Sequence, residues 1–249
     1  MEKDENLEVY SRPDIIKEYV ESQGLQAVEE YAFGKYVREG DSILDIGVGG
    51  GRTTPYLSGK ARRYVGVDYS TGMVEACRGR FPNLEFHCAD ASDLGLLHGG
   101  CFDVVVFCFN GIDYIRTDEA RSRCLREVAR VLKRGGHFIF SSHNARYVLA
   151  WPDFSGATLV RGCWRIVRAV IKTVGRARRK IFSRTFWRGR GYVMDPVHGG
   201  LVTFVCTPGT IGPELQSAGF VISEIVGNAY PKESPAWSSS WIYYIVTKG

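Results

Sequence analysis

Apolar positions along this chain fall into two patterns that take turns. Short, nearly continuous apolar runs at Ser42 to Ile46, Tyr64 to Ser70, Leu84 to Ala91, Cys101 to Asn110 and His137 to Ser142 read as strands covered on both faces. Between them apolar residues recur every three or four positions. The clearest case is 117–133, an amphipathic helix with Leu125, Val128, Ala129 and Leu132 as its stripe and Arg134-Gly135-Gly136 as its stop. Strict strand-helix alternation demands a parallel sheet with right-handed crossovers.

Ahead of the first strand, Tyr10, Ile15, Ile16, Tyr19, Val20, Leu25, Val28, Tyr31 and Ala32 sit at helical spacing, with Gly24 splitting the segment into two helices. Pro13 and Asp14 suit a first turn. This segment reads as a packing appendage on the sheet edge or as a lid with Tyr10 and Tyr19 facing a ligand. After the fifth strand the alternation is suspended over residues 145–200. Leu201 to Cys206 adds a short strand, Gly209 to Gly219 supplies the postponed helix, Phe220 to Val226 the sixth strand and Trp241 to Thr247 the last, reached through a Pro- and Ser-rich loop. Four parts are expected: a helical lid at 1–40, a ligand-binding core at 41–144, an inserted substrate or lid segment at 145–200, and a completion of the core sheet at 201–249.

With 249 residues the chain buries a full core. Its polar opening and the lack of any apolar run of membrane-spanning length make a cytoplasmic protein the expectation. Seven scattered cysteines with no Cys-x-x-Cys pair read as free thiols, and nothing has metal-ligand spacing. Net charge is +5, yet residues 161–190 hold eleven Lys or Arg and no Asp or Glu, so the rest of the chain is net acidic.

The chemistry centres on Asp45-Ile46-Gly47-Val48-Gly49-Gly50-Gly51-Arg52. Bare backbone at the mouth of a sheet and near a helix N-terminus cradles a ligand. A dinucleotide fingerprint requires glycine at the sixth position counted from Gly47, where Arg52 stands; nicotinamide and nucleotide-sugar enzymes are therefore disfavoured. Asp45 opposes a pyrophosphate but suits an ammonium group. Asp68 lies 23 residues further on, close to the ~20-residue interval at which a strand-end carboxylate meets a ribose diol; it could instead cap the helix starting near Thr71. Asp90, with the Ala91 amide beside it, can accept from an exocyclic amine.

Asp45 to Gly51, Asp68, Asp90-Ala91, Phe102 to Asn110 and Glu127 to Gly136 match, in order and spacing, five motifs of the Rossmann-like (class I) S-adenosylmethionine-dependent methyltransferases, and residues 43–144 resemble that family. The resemblance implies a three-layer α-β-α sandwich with a seven-stranded, mostly parallel sheet and an antiparallel last strand. It implies S-adenosyl-L-methionine as cofactor, with Asp45, Gly47, Gly49 and Gly51 at the methionine moiety. Asp68 would meet the ribose and Asp90 the adenine, with the Ala91 amide beside it, and Tyr69, Ser70 and Met73 would also be cofactor-binding. Phe109 and Asn110 would line the mouth, with Tyr19 above.

A hydroxyl acceptor requires a base, and histidine suits working pH. His143 follows the fifth strand and His198 lies where the detour returns; Asp113 and Tyr114 compete with them. The detour should choose the substrate. From Cys163 to Ile181 its apolar residues share one helical face, opposite Arg161, Arg165, Arg168, Lys172, Arg176 and Arg179. Three readings follow: a basic helical lid packed on the body, a helix lying on an anionic membrane, or an RNA-binding segment, the last weakened by the lack of any RNA-binding module. The expected activity is O-methylation of a saccharide or lipid-linked glycan. The alternatives are a methyltransferase for a small soluble metabolite and a non-catalytic binding or scaffold protein.

Overall fold

The computed structural model describes residues 5–148, 159–195, 201–231 and 238–249. Three helices open the chain: α1 (Glu5–Tyr10), α2 (Pro13–Glu21) and α3 (Ala27–Tyr36). Pro13 opens α2, and a Gln26–Glu29 capping box starts α3. The helical segment is thus divided twice, at Ser11-Arg12 as well as near Gly24.

Then follow β1 (Ser42–Ile46), α4 (Thr54–Lys60), β2 (Arg63–Asp68), α5 (Thr71–Arg80), β3 (Glu85–Cys88), β4 (Phe102–Phe107), a 3-10 turn (Gly111–Tyr114), α6 (Asp118–Val131) and β5 (Leu132–His143). The rest comprises α7 (Leu159–Ile181), α8 (Arg184–Arg188), β6 (Arg190–Asp195), β7 (Leu201–Cys206), α9 (Pro208–Ser217), β8 (Phe220–Gly227) and β9 (Trp241–Lys248). The main sheet has the order β3-β2-β1-β4-β5-β9-β8. Its first five strands pair in parallel, and β9 runs antiparallel between β5 and β8, as expected. Alternate strand residues feed two cores. Leu44, Val65, Val105, Phe138 and Tyr244 meet α6 and α9 on one face, whereas Ile43, Tyr64, Val104, Ile139 and Tyr243 meet α3, α4 and α5 on the other.

The detour is not purely helical. β6 and β7 pair as an antiparallel hairpin outside the main sheet, so the excursion closes at Cys206 rather than at residue 200. Arg121, fully buried on α6, anchors the hairpin: its guanidinium lies 3.5 Å from the centre of the Phe204 ring and donates to Tyr192 and Asp118.

Of the three readings of α7, a lid packed on the body by its apolar face is not what the structure has. Ala169 is buried, and Arg176 and Lys180 lie over the Tyr147 ring, so these residues face the body while Arg168 and Lys172 stay exposed. Trp164, Val167, Val170, Ile171 and Val174 point into solvent. Among the described residues no helix is long and apolar enough to cross a membrane.

Candidate functional site

Strand β1 delivers the glycine loop to the carboxyl edge of the sheet, where β2 and β4 end beside it. Gly47 adopts φ +62°, and a Cβ there would stand 2.6 Å from the Phe107 ring. A Cβ at Gly50 would meet the Tyr19 carbonyl oxygen at 2.3 Å. Helix α2 therefore rests directly on the loop backbone, which only glycine allows.

A cavity of about 250 Å³ opens at this edge, lined by Tyr19, Gly47, Gly49, Asp68, Tyr69, Met73, Asp90, Ala91, Phe109 and Tyr114 among others. Tyr10 closes it from the side, packed edge-on against Tyr19 at 5.8 Å and Tyr114 at 5.4 Å. The amino-terminal helices thus contribute aromatic walls as well as covering the loop.

Asp68 sits at the end of β2. Its Oδ2 accepts the Gly49 amide and its Oδ1 the Ser70 amide, each at 2.9 Å. The carboxylate fixes the shape of the glycine loop, and each oxygen keeps a further lone pair. Burial pushes its pKa up. Asp90 is exposed at the rim, accepting the Ser92 amide at 2.7 Å.

Four of the expected cofactor residues do not line this cavity. Asp45 is buried beneath the loop, where its Oδ2 takes the Thr53 hydroxyl at 2.6 Å and the Tyr64 hydroxyl at 2.9 Å. Burial pushes its pKa up to about 6. It braces the loop from behind, because the β1 pleat turns residue 45 away from the cavity. Gly51 packs against Phe81 and Cys77. Ser70 starts α5 and spends its hydroxyl on the Tyr10 carbonyl. Asn110 is buried at the turn after β4, turned toward His143.

That turn is unusual: Phe109 and Asn110 both take positive φ, +56° and +62°, a costly arrangement for residues with a Cβ. It persists because the Asn110 amide donates to the Ser141 hydroxyl at 2.8 Å and the Arg52 guanidinium covers the Phe109 ring at 5.2 Å. Phe109, Gly111 and Tyr114 from this turn line the cavity, while Asn110 and Asp113 reach His143.

Asp113 and His143, competing candidates in the sequence, form a pair. His143 Nδ1 lies 2.7 Å from Asp113 Oδ2, and the buried carboxylate also takes the His143 amide and the Ser142 hydroxyl, each at 2.6 Å. Burial pushes the Asp113 pKa up against these donors. With Nδ1–H given to Asp113, Nε2 is left as an acceptor, 3.4 Å from Asn110 Nδ2. His143 itself remains partly exposed, edge-on to Trp241 at 6.5 Å. Neither residue lines the cavity; Tyr114 does. His198 lies outside the described residues.

A charge pair that the sequence reading missed locks the assembly. Arg52 donates to both oxygens of Glu29 at 2.6 Å, and Glu29 has no solvent exposure. Glu29 also accepts the Tyr243 hydroxyl at 2.8 Å, and Arg52 reaches the Gly24 carbonyl. The residue that breaks the dinucleotide fingerprint thus clamps α3 onto the loop. The only local signal was the capping box, which marks Glu29 as a helix-start residue but not as a partner of Arg52.

Comparison with known proteins agrees with this fold. A family profile described as a methyltransferase domain matches residues 43–136. A fatty-acid O-methyltransferase of Mycolicibacterium smegmatis is 35% identical over 113 residues, which are 44% of this chain and 39% of that protein. A demethylmenaquinone methyltransferase of Beutenbergia cavernae is 32% identical over 102 residues, 41% of this chain and 40% of that protein. The matches therefore span about two fifths of those relatives. Among solved structures, the CcbJ methyltransferase of Streptomyces caelestis superimposes with a TM-score of 0.63 at 18% identity, covering 97% of this chain and 98% of the other. An S-adenosylmethionine-dependent methyltransferase of Mesorhizobium loti gives 0.61 at 21%, covering 89% and 98%. These two likenesses are of fold. Residues 43–136 thus match the methyltransferase-domain family, and the sheet that carries them has the fold of solved S-adenosylmethionine-dependent methyltransferases.

Proposed function

We propose that this chain is an S-adenosylmethionine-dependent methyltransferase acting on an acceptor hydroxyl, with His143 taking the acceptor proton and Asp113 positioning His143. When bound, S-adenosylmethionine supplies a methyl group on a sulfonium, open to direct displacement by a nucleophile. The residues of the cavity fit that cofactor: a strand-end carboxylate with lone pairs free for a diol (Asp68), glycine backbone at Gly47 and Gly49, a rim carboxylate for an amine (Asp90), and aromatic walls that exclude water. Phe109, held in its strained turn, lines the cavity and packs against Trp241, whose ring also meets that of His143.

The Asp113–His143 contact at 2.7 Å carries the reading. Direct displacement needs alignment and, for an alcohol, removal of a proton as the new bond forms. Asp113 fixes the imidazole with Nδ1 protonated, which leaves Nε2 as the base. An entering hydroxyl replaces Asn110 Nδ2 at Nε2, a long contact and weakly held. A carboxylate acceptor, ionised at neutral pH, needs no such pair; the pair therefore favours an alcohol over a free fatty acid. We read the alcohol as part of a saccharide or lipid-linked glycan. The relatives named for fatty-acid and demethylmenaquinone methylation support an acceptor with apolar bulk.

The test is transfer of labelled methyl from S-adenosylmethionine to paired acceptors that differ only in an alcohol or a carboxylate. Transfer to the alcohol that fails in His143→Ala supports the reading. Cofactor binding without transfer to any alcohol overturns it in favour of a non-catalytic binding protein.

A further inference from the structure

An amphipathic helix on a protein surface normally buries its apolar stripe. Helix α7 does the opposite. Ala169, Arg176 and Lys180 face the body, while Trp164 is 66% and Ile171 63% exposed, with Val167, Val170 and Val174 open between them. The apolar face continues past the helix end through Ile181 and Phe182 to Trp187 on α8, all exposed. A continuous apolar strip of this length in water marks an interaction surface.

Charge selects the occupant. Segment 161–190 holds eleven cationic and no anionic residues. Arg168 and Lys172 are exposed along one border of the strip, Arg178 emerges within it, and Arg184 and Arg188 are exposed on α8. Cations bordering an apolar strip, with tryptophan at both ends, suit a headgroup layer with acyl chains beneath. A second copy of the chain would bring the same cations against these and be repelled. RNA would engage the cations but leave the aliphatic strip in water.

We propose that α7 and α8 lie flat on an anionic membrane surface, inserting Trp164, Val167, Val170, Ile171, Val174 and Trp187 at the headgroup boundary. This inference rests on the detour alone and stands whether or not the methyl-transfer reading does. The many cations of α7 exclude a span by this helix, so the attachment is peripheral and reversible.

Sedimentation of the full chain with vesicles of phosphatidylcholine and phosphatidylglycerol, against phosphatidylcholine alone, tests it. Binding is expected on the mixed vesicles and is strongly weakened by salt. The Arg168→Glu/Lys172→Glu variant should bind them about tenfold or more weakly. Val170→Asp/Val174→Asp should abolish quenching of tryptophan emission by lipids brominated on their acyl chains. Both variants change solvent-facing side chains remote from the cavity, and unchanged circular dichroism and S-adenosylmethionine titration verify their fold. No partition onto the mixed vesicles overturns the proposal. So does a dimer that Val170→Asp/Val174→Asp dissociates, or tight binding of a single-stranded RNA with no vesicle binding.

Discussion

His143 Nδ1 lies 2.7 Å from Oδ2 of Asp113, a carboxylate with no solvent exposure, although the two residues are thirty positions apart. The carboxylate serves the ring, not the solvent. Replacing His143 with Ala should lower kcat on an alcohol acceptor by about 10²- to 10⁴-fold, with cofactor affinity unchanged. Asp113→Asn should reduce kcat comparably by allowing the other tautomer, and should shift the acid limb of the pH–rate profile. Wild-type turnover of an alcohol by His143→Ala would remove the base from the mechanism.

Asp68 has two duties, holding the Gly49 and Ser70 amides and offering lone pairs to a diol. Calorimetric titration of Asp68→Ala with S-adenosylmethionine and S-adenosylhomocysteine should show affinity about ten- to a hundredfold lower than wild type. Asp90→Ala, losing an exposed carboxylate, should cost less. Equal affinities for Asp68→Ala and wild type would place the cofactor elsewhere.

The Arg52–Glu29 pair is the costliest to break. Arg52→Ala leaves the fully buried Glu29 charge without its cation and should destabilise the fold by about 3–5 kcal/mol in urea unfolding. Arg52→Met/Glu29→Met removes both charges and should recover much of that loss. A double variant as unstable as the single one would show that stacking on Phe109, not charge pairing, holds the loop.

Asp45 ties stability to pH. Its folded pKa is pushed up to about 6 from an ordinary 3.8, so the folded state binds a proton that the unfolded chain releases between those values. Asp45 contributes least above pH 6 and gains as pH falls toward 4. Asp45→Asn keeps an oxygen for Thr53 and Tyr64 and carries no charge. Its stability relative to wild type should therefore be greater at pH 8 than at pH 4, by up to about 3 kcal/mol. A difference constant across that range would mean that Asp45 titrates normally.

Much of this architecture is legible in local pattern. Periods of two and of three to four assign the strands and helices, and their alternation leaves few topologies open. The glycine loop and Asp68 can be found for the same reason: short loops at strand ends converge wherever a parallel sheet forms. Amphipathicity likewise marks α7 as a two-faced helix from its residues alone. Contacts between distant segments are not written in any local period. Whether Asp45 faces the ligand or the loop's underside depends on which side of the β1 pleat the cavity opens. Pairing of Asp113 with His143, and of Arg52 with Glu29, follows from how β4 lies against β5 and how α3 docks on the loop. The outward turn of the α7 apolar face is also a tertiary fact, because periodicity says which residues share a face, and only packing says which face is covered.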